Sequence, residues 1–277
     1  MADIILATSL LWPEPISDAP LRHALLAAGH SSASVPWNGD NQPPFYSADL
    51  VVLRSCWDYY KAPRTFLDWL DRLEVDSVPV RNRLPLVRWN FDKSYLIELR
   101  EAGFNVPETR LVDPTDHVAI RSIMAEEGWR KAVRKPVSGQ TGHFVDVLDV
   151  ADFEDWPASI MPTERALLQE FEEDVAVLGE TLLYFFNGRF SYAVQRLPEP
   201  QMGLTRIEVS VPEEVVRQAA AIVSSVDPLP LYARIDGLIR GNTFKLMELE
   251  LIEPSFAFEA APDKANEFAR AIERELS

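Results

Sequence analysis

The sequence is short of cysteine, of basic charge and of long apolar runs, and each shortage closes off a class of protein. One cysteine, Cys56, stands among 277 residues, so no disulfide forms within the chain and the reducing cytoplasm is the expected compartment. Lysine and arginine number 27 against 43 aspartates and glutamates, a formal charge of −16. So acidic a chain repels nucleic-acid backbones and anionic membrane surfaces, and neither is expected as a partner. No apolar run is long enough to span a bilayer. The first residues, MADIILATS, carry an early acid and no basic stretch, unlike a secretory signal. His23, His30, His117 and His143 show no metal-ligand spacing, so a zinc site is not expected. There is no internal repeat and no low-complexity tract. A small molecule is left as the main partner, a homodimer stays open, and any bound anion must be held by local arginines and lysines.

What is present is material for a core: 47% of residues are hydrophobic and 25% charged, in a length that suits one large or two to three small domains. Asp3 to Ser9 reads as a buried strand, Pro20 to Ala28 as a helix closed by Gly29, and Ala33 to Trp37 and Asp49 to Ser55 as further strands. A helix from about Pro63 to Leu73 and a strand near Val78 to Arg81 complete a doubly wound α/β unit. Such sheets collect ligands at the carboxyl ends of their strands, where Arg54, Ser55, Cys56, Trp57 and Asp58 lie. Leu84 to Asn90 is expected to be a linker, with Asn90 capping a helix that carries Lys93, Tyr95, Leu96 and Leu99. Lys93 then falls in the first turn, against the helix dipole; a ligand-bound and a solvated lysine both stay open.

The second half reads as antiparallel α+β, with strands at Ala132 to Val137, His143 to Val150, Leu167 to Phe171, Glu180 to Phe186 and Phe190 to Gln195, and a helix from Pro212 to Val223. The loop SGQTG, Ser138 to Gly142, offers amides and hydroxyls to phosphates. Lys135 shares a face with Val133 and Val137, which favours a buried cation with an anionic partner. The connection LPEPQMGLTRIEVS after Arg196 is assigned no strand or helix.

The most informative stretch is YARIDGLIRGNTFKLMELELIEP, ending at Pro254. It reads as two strands and a tight turn. Side chains recur on one face of a strand at every second position. A three-residue turn over Gly241, Asn242 and Thr243 sets Asp236 opposite Glu248 and Arg234 opposite Glu250. A two-residue turn would pair Asp236 with Met247 and scatter the charges. Three carboxylates on one face repel one another, a conflict that a hard divalent cation resolves, and the arginine beside them suits phosphate. On charge alone, an edge hairpin with solvated acids is an equal alternative.

Together the patterns VVLRSCWDY, RWNFDKSYL, GETLLYFFNGRFSYAVQR and YARIDGL…MELELIEPS resemble the ATP-grasp superfamily, and within it the RimK/glutathione-synthetase-like group that includes a cycloserine-forming cyclo-ligase. The resemblance runs from about Asn82 to the carboxyl terminus, with the first third similar to the substrate domain that precedes it. It implies an α/β and α+β chain: an ATP-grasp fold with an N-terminal Rossmann-like (pre-ATP-grasp) domain at 1–88, a lid subdomain at 89–167 and a metal-bearing subdomain at 168–277. It implies ATP, with Lys93 and Lys135 on the phosphates and Ser138, Gly139 and Gly142 in the loop over them. Gln169, Glu170 and Phe171 would meet the adenine, Glu180 the ribose, and Met247 would floor the adenine from the face away from the carboxylates. It implies Asp236, Glu248 and Glu250 as ligands of Mg²⁺, two ions with Mn²⁺ as a substitute, although many relatives have asparagine where Glu250 stands. Arg234, Lys135 and Arg196 become the catalytic cations. Arg54, Ser55, Trp57 and Asp58 are expected to hold a small amino-acid-like substrate opposite Arg234 and Arg196.

The implied activity is ATP-dependent carboxylate–amine ligation through an acyl phosphate, releasing ADP and phosphate. An ATP-grasp small-molecule kinase and an intramolecular cyclo-ligase are the alternatives. A degenerate nucleotide-binding regulator is disfavoured, because both lysines, the arginine and all three acids are present. Cys56 reads as a packed thiol rather than a nucleophile, and Trp57 and Tyr59 either stack on substrate or pack between domains.

Overall fold

The structure is a computed structural model, and it describes all residues except 140–143, 159–164, 200–202 and 277. The described strands form three sheets. The first is parallel: β1 (Asp3–Thr8), β2 (Ser31–Pro36), β3 (Leu50–Leu53) and β4 (Val80–Arg81), in the order β2-β1-β3-β4. Helices α1 (Ala19–Ala27), α2 (Pro43–Ser47) and α3 (Pro63–Val75) accompany it. The run Leu-Val-Val-Leu of β3 is buried throughout, as a parallel strand covered on both faces must be. Phe45, Phe66 and Trp69 pack on one side and Leu21 and Leu25 on the other. Chain order reverses between β1 and β3, so their carboxyl ends flank the switch point of the sheet.

Leu84 to Asn90, expected as a linker, is instead a helix, α4 (Leu84–Phe91), with Pro85 in the first turn where a missing N–H does no harm. Asn90 caps nothing. It is buried, donates to the Leu249 carbonyl and accepts from the Leu251 amide, each at 2.8 Å. The next helix, α5 (Tyr95–Glu101), starts after Lys93, so the expected conflict with a helix dipole does not arise.

The second sheet is antiparallel: β5 (Thr109–Val112), β6 (Lys131–Pro136), β7 (Asp146–Asp149) and β8 (Ala166–Glu170), in the order β5-β8-β6-β7 and covered by α6 (His117–Glu127). Of the returning strand expected from His143, the described part is Asp146–Asp149 and His143 lies outside the described residues, and the boundary expected between residues 167 and 168 falls inside β8. The deeply buried cation here is Arg134, on Asp146 (2.7 Å) and the Pro114 and Pro157 carbonyls (2.7 and 3.0 Å). Lys135 lies half-buried on the opposite face.

The third sheet holds β9 (Glu180–Phe186), β10 (Arg189–Glu199), β11 (Gly203–Val209), β12 (Tyr232–Arg240) and β13 (Thr243–Glu250), antiparallel in the order β11-β10-β9-β12-β13. Helix α7 (Val175–Leu178) precedes β9, α8 (Glu213–Ser224) precedes β12, and α9 (Lys264–Leu276) ends the described chain. Of the segment after Arg196, residues up to Glu199 end β10 and Gly203–Val209 form β11, paired from Ala193–Val209 to Glu199–Gly203, while 200–202 lie outside the described residues. One face of the sheet buries Leu183, Phe185, Ile235 and Leu249 under α5 and α8. The other buries Tyr184, Phe186, Tyr192 and Tyr232 against Phe256, Phe268 and the first domain. Among the described residues no helix is long and apolar enough to cross a membrane.

The hairpin has the expected register at its acids but reaches it by another route. The turn is two residues, since Arg240 pairs with Thr243, and Gly241 takes φ +60° at a position where such turns need positive φ. That register alone would set Asp236 against Met247. A bulge at Met247, between the pairs Gly237–Leu246 and Asp236–Glu248, moves Glu248 into place and keeps Arg234 opposite Glu250. Only glycine fits at 237, where a Cβ would lie 2.4 Å from the Lys245 carbonyl oxygen. Because of the extra residue, Leu246 and Leu249 both reach the core. Met247 is thereby left with Glu248 and Glu250 on the half-buried side, not turned away from them as alternation predicts.

After β13 the chain runs as a strap against the first domain. Four consecutive carbonyls are held: Leu251 by Asn82 Nδ2 (2.7 Å), Ile252 by Tyr232 Oη (2.7 Å), Glu253 by Trp57 Nε1 (3.0 Å) and Pro254 by Arg54 Nη1 (2.9 Å). Asn82, fully buried, also donates to the Tyr232 carbonyl at 2.8 Å and accepts from the Leu231 amide at 2.7 Å. Asn82→Ala would strand these backbone groups out of water, and a loss of about 3 kcal/mol or more is expected. A urea midpoint close to that of the parent chain would show that the strap is held elsewhere.

Candidate active site

The charged face of the third sheet follows from its register. Glu250 and Arg234 share one row across the strands, Glu248 and Asp236 the next, and Arg196, Glu180 and Arg206 a third. Arg234 is buried and grips Asp236 through two hydrogen bonds, 2.7 and 2.9 Å, with Glu250 at 2.9 Å on its remaining nitrogen. Arg196 bonds Glu180 and comes within 3.8 Å of Asp236. Lys93 bonds Glu248, and its backbone amide donates to the Val137 carbonyl at 2.6 Å, joining the end of β6 to this face. Lys135 donates to Gln169 at 3.0 Å, and Gln169 to Thr109 at 2.9 Å.

The proton affinities follow from burial and neighbours. Burial alone would raise the Glu248 carboxyl, yet Lys93 and Lys135 bring it down to about 2. Burial, with Glu248 and Asp236 as like charges, pushes Glu250 up to about 7 against the pull of Arg234. Burial and the nearby Lys93 lower Lys135 to about 8 against the attraction of Glu248 and Glu180. Lys93 goes the other way: burial opposes its charge, but Glu248, with Glu250 and Asp236 behind it, raises its pKa.

The structure thus gathers Lys93, Lys135, Glu180, Arg196, Arg234, Asp236, Glu248 and Glu250 into one cluster. Met247 is on their side. Ser138 and Gly139 follow β6, with Gly139 at φ +146°, while Gly142 and His143 lie outside the described residues. The amides of Glu170 and Phe171 already donate to the Glu108 and Lys131 carbonyls at 2.9 and 3.3 Å.

The residues expected to hold substrate behave differently. Arg54 is 1% exposed, pairs with Asp18 at 2.7 Å, and lies over the Phe256 ring at 4.1 Å. Ser55 donates to Asp18 at 3.3 Å, and Asp58 accepts from Trp37 (2.8 Å) and Asn38 (2.9 Å). These three are turned inward as supports of the first domain, because each satisfies a partner across the ends of its strands. Trp57 is half-buried and meets Trp12 edge-on at 5.5 Å. Cys56 is a buried thiol, pushed up by burial and by Glu253 and Asp58.

One cation escaped the sequence. Arg206 stands opposite Arg196 across β10 and β11, a like-charged pairing that weakens a sheet by itself. It holds Glu259 at 2.8 Å, while its buried Nε has no partner among the described residues. Its signal is the polar–apolar alternation of Arg206, Ile207, Glu208 and Val209, in a segment that the sequence alone leaves as a connection. Paired arginines suit a carboxylate or phosphate.

Among the described residues no three His, Cys, Asp or Glu side chains form a ready-made metal cage. Asp236, Glu248 and Glu250 nonetheless form an all-oxygen donor set, on neighbouring positions of one face, that suits a hard divalent cation. The chain's own Lys93 and Arg234 neutralise that set here.

Residues 4–82 match the family described as "D-cycloserine synthetase DcsG, N-terminal domain". The chain is 28% identical over 281 residues to the cycloserine biosynthesis protein DcsG of Streptomyces lavendulae, covering 93% of each. Its structure resembles the crystal structure of D-cycloserine synthetase DcsG with a TM-score of 0.88 and 26% identity, covering 99% of this chain and 100% of the other. It also resembles the ATP-grasp ligase PsnB complexed with minimal precursor, Mg and ADP, at a TM-score of 0.69 and 19% identity, covering 99% and 97%.

Lys135 gives the site a pH signature. It is charged below about 8 and loses its proton as pH rises through that value, whereas an ordinary lysine holds its charge to about 10.4. Its folded pKa lies below the unfolded one, so the fold itself gains stability across this window and does not unfold on its account. If Lys135 meets the phosphates of ATP, as the sequence resemblance implies, ATP affinity is expected to fall about tenfold between pH 7 and pH 9, measured by equilibrium dialysis. Lys135→Arg should flatten that slope; an unchanged slope in the variant, or none in the parent, would mean that Lys135 meets no phosphate.

Proposed function

We infer that this chain, which has the ATP-grasp fold of the RimK-like and cycloserine-synthetase-like ligases, is an ATP-dependent ligase that forms a carbon–nitrogen bond. The carrying observation is the cluster in which Lys93, Lys135, Arg196 and Arg234 face Asp236, Glu248 and Glu250 at the junction of two sheets. A carboxylate is a poor electrophile, and phosphoryl transfer from ATP converts it to an acyl phosphate with a good leaving group. Catalysis of that transfer is mostly positioning and charge neutralisation.

In this reading Lys93 and Lys135 donate to the phosphates, with Ser138 and Gly139 in the loop above them. Arg234 and Arg196 stabilise the charge that develops on the transferred group and on the tetrahedral carbon formed when nitrogen attacks. Arg206, beside Arg196, extends the anion-binding surface towards a carboxylate of the substrate. Asp236, Glu248 and Glu250 would hold magnesium, which supplies charge neutralisation at the phosphates when bound. The substrate is small and amino-acid-like. Intramolecular closure is a second reading, favoured by the likeness to D-cycloserine synthetase over nearly the whole of both chains.

Screening amino acids and small carboxylates for release of both ADP and phosphate tests the ligase, and product mass then separates joining from closure, since closure leaves the substrate lighter by one water. ADP release without free phosphate would mean a kinase instead. Glu248 stands between Asp236 and Glu250, so Glu248→Gln should lower kcat about 10³-fold, as loss of a main electrostatic group does. Asp236→Asn should be milder and partly restored by more magnesium. Near-parental turnover by Glu248→Gln would make the hairpin merely structural.

A further inference from the structure

A groove of about 380 Å³ opens between α4, α5 and the end of α8, and the chemistry above gives it no task. Leu86 and Trp89 of α4, Glu98 and Leu99 of α5, and Val226 and Asp227 just beyond α8 line it. Leu86, Leu99 and Val226 are buried side chains of the core beneath the third sheet, so the apolar part of the lining is rigid. Trp89 is held as well. Its indole N–H donates to Glu98 at 2.9 Å, and its ring meets that of Tyr95 at 5.1 Å. Walls already fixed in place lower the cost of taking a ligand. Glu98 and Asp227 are exposed, and they bring two carboxylates to one space from separate elements. Neither has a cationic partner among the described residues. The groove thus joins an apolar floor and an indole to uncompensated negative charge.

We propose that this groove is a binding site for a small organic cation, an ammonium group carried on a hydrocarbon body. The site stands independently of the ligase reading, since no residue of the charged cluster lines the groove. Its volume selects the kind of occupant: pockets for small molecules run from about 300 to 1,000 Å³. The charge of the occupant follows from the two carboxylates, which repel an anion and attract a cation. Glu98 gives one oxygen to Trp89 and keeps the other for a donor, and an ammonium has three N–H groups to offer. The hydrocarbon body belongs on Leu86, Leu99 and Val226, where its apolar surface leaves water. The indole of Trp89 adds attraction for a cation within about 6 Å of its face. The formal charge of −16 on the whole chain concentrates cations around it. A bare inorganic cation would leave the apolar floor wet, and a neutral alcohol would leave the carboxylates without a counter-charge. Only a molecule with both parts answers the whole lining.

The test titrates the full-length chain with n-hexylammonium chloride and, in separate experiments, with hexanol and ammonium chloride. The indole N–H resonance of Trp89, assigned by its loss in Trp89→Phe, follows the binding. Hexylammonium should saturate in the millimolar range, hexanol should bind more weakly, and ammonium chloride should not saturate. Glu98→Gln still accepts from Trp89 but loses the charge; it and Asp227→Asn should each weaken hexylammonium about two- to fivefold, as loss of one exposed charge does. The double variant should bind hexylammonium no better than the parent chain binds hexanol. Ala102, exposed at the end of α5, also lines the groove, so Ala102→Phe fills the space without touching a charge and should abolish binding. No saturable binding in the parent chain, equal binding of hexanol and hexylammonium, or unchanged affinity in the double variant or in Ala102→Phe overturns the proposal. Self-association of the parent chain that Ala102→Phe abolishes would overturn it too, by giving the groove to a second copy.

Discussion

Three carboxylates on one face of a two-stranded ribbon cannot stand together without cations, and much of the architecture answers that constraint. Arg234 neutralises two of them from within the ribbon, and Lys93 reaches the third from the bend before α5. Lys135, on another sheet, adds its field without a direct bond to any acid. The fold brings these groups together from distant stretches of sequence because α4 and α5 are bound to β13. Asn90 and Tyr95 both hold the backbone of Leu249, between the two glutamates, and Asn105 takes the Leu246 amide at 2.8 Å through its carbonyl. The acids are as rigid as the core beneath them.

That rigidity extends to the first domain. The strap from Leu251 to Pro254 starts one residue past Glu250, and each of its carbonyls is bonded to a side chain. Three of those four donors, Asn82, Trp57 and Arg54, come from the first 82 residues. Arg54 is therefore important for a reason other than the one its position suggested. It sits at a strand end where ligands gather, but its guanidinium joins Asp18, Pro254 and the Phe256 ring.

Much of this was legible from spacing. Strand-like alternation and the opposition of Asp236 to Glu248 follow from a period of two, and the α/β order of the first third follows from its apolar runs. What could not be read depended on partners far away in sequence. Asn90 looks like a helix cap because its real partners, Leu249 and Leu251, lie some 160 residues on. Leu84 to Asn90 carries a proline and no acid, and its apolar side chains are divided between two cores, Leu84 and Val87 with the first sheet and Leu86 with the third, which no local pattern reveals. Arg206 was hidden because Gly203–Val209 reads as part of the connection after Arg196 until its partner β10 is known. Glu253 was passed over because a carboxylate at a chain bend is usually solvated, and nothing local reveals that it is sealed in.

The bulge at Met247 shows that two different chains can build the same site. An unbulged hairpin with a three-residue turn and a bulged hairpin with a two-residue turn both set residue 236 against residue 248, because each contains one residue outside the ladder. Only the location of that spare residue differs. Placed in the turn it would face solvent; placed at 247 it becomes an apolar side chain beside the acids. The geometry of the charges is thus indifferent to a choice that decides the lining of the cleft, and loop length and pocket shape are here a single variable.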